Sequence, residues 1–159
     1  MRTRQRGAAI TAAALLMALP ASACELVLAA HPEGRELARA PLDAAAPGLR
    51  VAFTHSVLGT PVEDHYRFRP DAEGWRAHLV QERFEGQGYG LPYAAAEGER
   101  LERAGAGWRL LTDRVVEPLV VRALAAQRMR VLLADGRVLP LAALGAPAVA
   151  MRVEHCAPD

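Results

Sequence analysis

The run MRVLLADGRVLPL, from Met129 to Leu141, holds Asp135-Gly136 between two arms rich in valine and leucine. Asp-Gly between hydrophobic arms is the strongest short-range signal for a β-hairpin, because glycine enters the left-handed backbone region that tight connections need. A hairpin here commits the chain to antiparallel pairing. The neighbouring segments are therefore read for a period of two.

Upstream, CELVLAA (24–30) and RELARAPL (35–42) flank the turn His31-Pro32-Glu33-Gly34. LRVAFTHSV (49–57) follows Ala46-Pro47-Gly48 and alternates, with Val51, Phe53 and His55 on one face and Arg50, Ala52 and Thr54 on the other. In EDHYRFRP (63–70), Tyr66 and Phe68 share a face with Asp64, and His65 and Arg67 take the opposite one. GWRAHLVQERFE (74–85) has no cleanly apolar side: Trp75, Ala77 and Leu79 fall with Gln81 and Arg83, while Val80 and Phe84 fall with Arg76, His78 and Glu82. A bulge partway along reconciles its two halves. Further strands are GWRLLTD (107–113), VVEPLVVRAL (115–124) and AVAMRVEHC (148–156). Only residues 94–103 and 119–128 suit a helix, and glycines around the first argue for a loop. About nine short strands with tight turns predict one all-β domain over residues 24–159, a compact antiparallel sandwich or barrel.

The 159 residues carry a net charge of +1, with scattered arginines and no lysine. A nucleic-acid interface needs basic charge clustered on one face, so that class of partner is excluded. At the N-terminus, Arg2, Arg4 and Arg6 precede an apolar run over residues 8–19 and a small-residue stretch, Ala21-Ser22-Ala23. Residues 1–23 thus read as a signal peptide, the apolar run being shorter than the roughly 20 residues a spanning helix needs. Export places the chain in the periplasm or another extracytoplasmic space.

Cys24 directly follows the cleavage site, and two readings of it stand side by side. A free thiol there would pair with Cys156 in an oxidising compartment, worth about 4 kcal/mol in the chain-entropy picture. Lipoprotein processing would instead acylate it, giving the only membrane contact expected of the chain. Both fates need the same sulfur.

Two segments concentrate the polar chemistry: THSVLGTPVEDHYRF from Thr54, and RFEGQGYGLPY from Arg83. HSV, TPVED, ERF, the glycine-rich loop and GLPY, in that order, resemble the bacterial domain-of-unknown-function family 1850. The likeness runs from LVL and ELARAPL, through a GW strand, to the VLLADGRVLPLAAL hairpin. It implies an exported or membrane-anchored protein whose gene lies beside those of TAXI-type TRAP transporters, which import organic anions with an extracytoplasmic solute-binding protein. A transporter subunit or that binding protein is then the expected partner. The resemblance implies no reaction and supplies no catalytic residue.

Read for chemistry, neighbouring His55 and Ser56 point to opposite faces of a regular strand, so the histidine does not activate the serine. No G-x-S-x-G elbow is present, and a hydrolase is the weakest reading. His55 reads as a half-buried residue bonded to backbone or to Glu63, with Ser56 and Thr60 capping the turn before Pro61. The alternative is a ligand or metal site at His55, Glu63, His65 and Glu82, whose imidazoles and carboxylates suit zinc if they converge. Gly86, Gly88, Tyr89, Gly90 and Pro92 read as a wide turn with positive φ values, and as a contact surface. Trp75 and Trp108 read as packing, and Arg67, Arg76 and Arg83 as solvated. The expectation is a non-enzymatic accessory or interaction protein with no cofactor.

Overall fold

A computed structural model describes residues 24–156, so the signal-peptide expectation for residues 1–23 lies outside the described part. Within it the chain forms β1 (Glu25–Ala30), β2 (Glu36–Pro41), β3 (Gly48–Thr54), β4 (Pro61–Asp71), β5 (Gly74–Phe84) and β6 (Arg100–Ala104). There follow β7 (Gly107–Val116), β8 (Leu119–Arg122), β9 (Arg130–Leu132), β10 (Val138–Pro140) and β11 (Ala148–Glu154). The only helical segments described are two short 3-10 turns, Ala125–Gln127 and Leu141–Leu144.

The strands make two antiparallel sheets, one in the order β2-β1-β11-β8 and the other β10-β9-β3-β4-β5-β7-β6. They pack as a sandwich with open edges, which decides between the two architectures the alternation allowed. Leu26 and Leu28 of β1 and Val149 and Met151 of β11 meet Val51, Tyr66, Phe68 and Leu79 of the larger sheet in one core. Burying each such side chain stabilises the fold by about 1.5–3 kcal/mol.

Central β1 is buried on both faces. Val27, on its outer side, is fully buried between its ladder neighbours Arg39 and Arg152. Arginine stems cover apolar surface while their heads stay wet, and here the heads reach Glu25, Glu36 and Glu154. Cys24 and Cys156, flanking the β1–β11 ladder, are joined in a disulfide.

The bulge expected in β5 is present. Pairing with β4 steps from His65↔Gln81 to Tyr66↔Leu79, leaving Val80 without a partner. The extra residue turns Phe84 to the same side as Ala77 and Leu79 despite its opposite parity. Phe84 joins Val62 and Leu110 in a second small core, with Phe53, Leu91, Leu101 and Trp108 against it.

The Asp135-Gly136 hairpin forms, with Leu133 accepting from Gly136 N–H at 3.1 Å and Gly136 at φ 89°. Both windows with helical composition contain strands: β6 pairs with β7, and β8 forms an edge beside β11. The helix formers in Arg100–Ala104 are overridden because that segment closes the second core, where Leu101 stands opposite Leu110.

Candidate functional site

The two motif segments meet at one end of the larger sheet. β3 ends at Thr54 and β4 begins at Pro61, directly opposite it, so residues 55–60 make the connection. His55 is buried there. Its Nδ1 accepts from the backbone N–H groups of Val57 and Leu58, each at 3.2 Å, so the ring proton sits on Nε2. That Nε2–H donates to the Tyr89 carbonyl at 3.2 Å. One neutral imidazole therefore caps its own turn and pins the glycine loop.

Thr60 Oγ1 adds a second tie, donating to the Glu85 carbonyl at 2.9 Å. Ser56 differs from expectation: it is exposed, and its hydroxyl makes no hydrogen bond among the described residues. The imidazole has already taken the turn's donors, leaving Ser56 nothing to cap. With both ring nitrogens held by backbone, His55 has none available as a base toward Ser56.

In the glycine loop, Gly88 and Leu91 exchange backbone hydrogen bonds around Tyr89 and Gly90. Gly86, Gly88, Tyr89 and Gly90 all have positive φ, at 81°, 88°, 53° and 99°. At Gly88 a Cβ would also meet the hydroxyl end of the exposed Tyr93 side chain. Gln87 Nε2 reaches the carbonyls of Pro92 and Tyr93, each at 3.4 Å. The outcome is a braced corner from which Val57, Tyr89 and Tyr93 project, 61%, 73% and 73% exposed.

The four proposed ligand residues do not converge. Glu63 and His65 lie together on the outer face, with Nε2 of His65 2.6 Å from Glu63 Oε1. Arg50 approaches Glu63 at 3.2 Å and Gln81 approaches His65 at 3.3 Å. Burial pulls the His65 imidazole below its ordinary range despite the neighbouring Glu63 carboxylate. His55 lies in the turn, and Glu82 faces inward. Among the described residues, no group of three or more His, Cys, Asp or Glu is arranged to hold a metal ion.

Facing inward, Glu82 stands opposite Asp64. Burial, with the Glu82 charge added, pushes the Asp64 carboxyl up to about 7. Glu82 is also raised by burial, against the pull of Arg114, whose guanidinium lies 3.6 Å away. Arg114 bonds Glu99 at 2.6 Å, and this hydrogen bond leads the causes that lower Glu99 to about 2. Asp64 is not among the candidate site residues named from the sequence, although an acid alternating with Tyr66 and Phe68 on an apolar face is a readable signal.

The remaining side chains are structural. Trp75 Nε1–H donates to the Cys156 carbonyl at 3.3 Å, and Trp108 lies under Arg103, 4.6 Å from its ring centre. Arg67 bonds the Ala46 carbonyl, and Arg76 pairs with Asp71.

Compared with known proteins, residues 49–141 match the family described as Domain of unknown function (DUF1850). Nothing matches among the curated proteins or the solved structures. The matched span holds both motif segments, the half-buried, inward-facing carboxylate pair and the Asp135-Gly136 hairpin.

Proposed function

The chain belongs to the DUF1850 family, and on that premise we propose that it is an exported, non-enzymatic interaction module working with a TAXI-type TRAP transporter. Its partner in this reading is the extracytoplasmic solute-binding protein or a transporter subunit. The observation that carries the reading is the braced corner: His55 and Thr60 hold two loops in place, and Val57, Tyr89 and Tyr93 remain exposed on them. Aromatic side chains on pre-ordered loops lose little freedom on docking, which favours them as anchors of an interface.

The Cys24–Cys156 disulfide fits an oxidising extracytoplasmic compartment. Among the described residues no helix is long and apolar enough to cross a membrane. We place the chain in the periplasm after removal of residues 1–23, with the Cys24 sulfur in the bridge rather than acylated. A metal-binding or hydrolytic role has less support, because His55 has both nitrogens committed to backbone and stands apart from Glu63, His65 and Glu82.

Affinity purification of the tagged chain from its host's envelope tests the proposal. Co-purification of the solute-binding protein or a transporter subunit, with reduced uptake of the transporter's substrate on gene deletion, is expected. Unchanged uptake with neither protein recovered would overturn it.

A further inference from the structure

One row of the larger sheet's outer face runs, strand by strand, through Arg130, Ala52, Glu63, Arg83, Arg109 and Glu102. Its charges are not matched pairwise. Glu63 stands opposite Arg83, yet its carboxylate is engaged by Arg50 and His65 from the next row. Arg109 takes Glu102 at 2.7 Å, and Arg130 reaches only the Arg128 carbonyl, at 3.2 Å. Among the described residues the Arg83 side chain makes no hydrogen bond and no ion pair. It also faces Arg109 directly, a like-charge juxtaposition that costs stability unless an anion lies between.

A cleft of about 610 Å³ opens over this row, within the range of small-molecule sites. Its titratable lining is four guanidinium groups, those of Arg83, Arg103, Arg109 and Arg130, against the carboxylates of Glu63 and Glu85. Small residues keep the floor low: Ala52 is nearly fully buried, and Gly107 approaches the Phe84 carbonyl so closely that a Cβ would collide with it.

Arg83 and Arg130 stand three strand spacings apart, roughly 14 Å at about 4.8 Å each. Both side chains line the same cleft, and arms of that length can close most of that width. Guanidinium forks bind carboxylates in a bidentate way, and a ligand with two carboxylates satisfies both arms at once. We infer that this cleft binds a small organic dicarboxylate, gripped by Arg83 on one wall and Arg130 on the other. The inference stands apart from the partner reading, because the binding belongs to the isolated chain.

Titration of the oxidised chain, followed by NMR at constant ionic strength, tests it, with succinate, acetate and inorganic phosphate as probes. Succinate is expected to shift the Ala52 and Gly107 amides saturably. It should bind at least about tenfold more tightly than acetate, and about tenfold more weakly to Arg83→Gln and Arg130→Gln. Arg122→Gln, on the smaller sheet, should leave binding unchanged, and no variant should melt below the parent. Absence of saturation, equal binding by Arg83→Gln, or saturation by phosphate without succinate would each overturn the assignment.

Discussion

Asp64 and Glu82 face each other across the β4–β5 ladder on the inner side of the sheet, with Asp64 Oδ1 and Glu82 Oε2 both buried and lacking a hydrogen-bond partner. They lie at the seam between the two cores, since Asp64 sits on β4 between Val62 of the smaller and Tyr66 of the larger. A carboxylate so placed favours its protonated form, and Arg114 offsets only part of the cost.

The pair makes stability fall as pH rises. Asp64 has its folded-state pKa raised from 3.8 to about 7, so its stabilising protonation is complete below about pH 4 and lost as pH passes 7. Denaturant unfolding should show Asp64→Asn gaining on the parent between pH 5 and 8, by a difference on the order of 2–3 kcal/mol. Parallel pH profiles for the two proteins would contradict the burial argument.

Removing the His55 ring strips an acceptor from Val57 and Leu58 N–H and a donor from the Tyr89 carbonyl. His55→Ala is expected to cost about 1–3 kcal/mol. Faster amide exchange should be confined to residues 55–60 and 86–93. Unchanged protection there would mean that the loops hold themselves.

Two glycine substitutions separate backbone strain from collision. Gly34 has φ 75° with nothing near its missing Cβ, so Gly34→Ala should cost only about 1 kcal/mol. Gly88→Ala adds contact with the Tyr93 ring and should cost clearly more in the same thermal melt. Equal losses would show that Tyr93 moves aside freely.

The Cys24–Cys156 bridge closes a sequence separation of 132 residues. In the chain-entropy picture, Cys24→Ser should lose about 5 kcal/mol of stability. Mass spectrometry of the chain purified from its host should find it two hydrogen atoms lighter than the dithiol. An acyl mass on Cys24 would instead establish the lipid anchor.

Much of the fold was legible because alternation and turn chemistry agree. Val51 and Phe53 face inward, Asp135-Gly136 turns, and the mixed faces of residues 74–85 resolve at Val80. β6 was not legible, since Leu101, Glu102, Arg103 and Ala104 are good helix formers and only pairing with β7 makes them a strand. The turn chemistry around His55 was half visible: the bond to backbone was expected, but its reach to Tyr89, 34 positions on, depends on tertiary contact. Grouping His55, Glu63, His65 and Glu82 failed for a simpler reason. Strand parity and the Val80 bulge send Glu82 to the face opposite Glu63 and His65, and His55 caps a turn.

Calorimetry between the purified, oxidised chain and the solute-binding protein of a TAXI-type TRAP transporter from the same host tests the proposed braced corner as a docking surface most directly. Saturable binding is expected, lost in a Tyr89→Ser/Tyr93→Ser double variant that melts like the parent. No binding by the parent, or equal binding by the double variant, would contradict it.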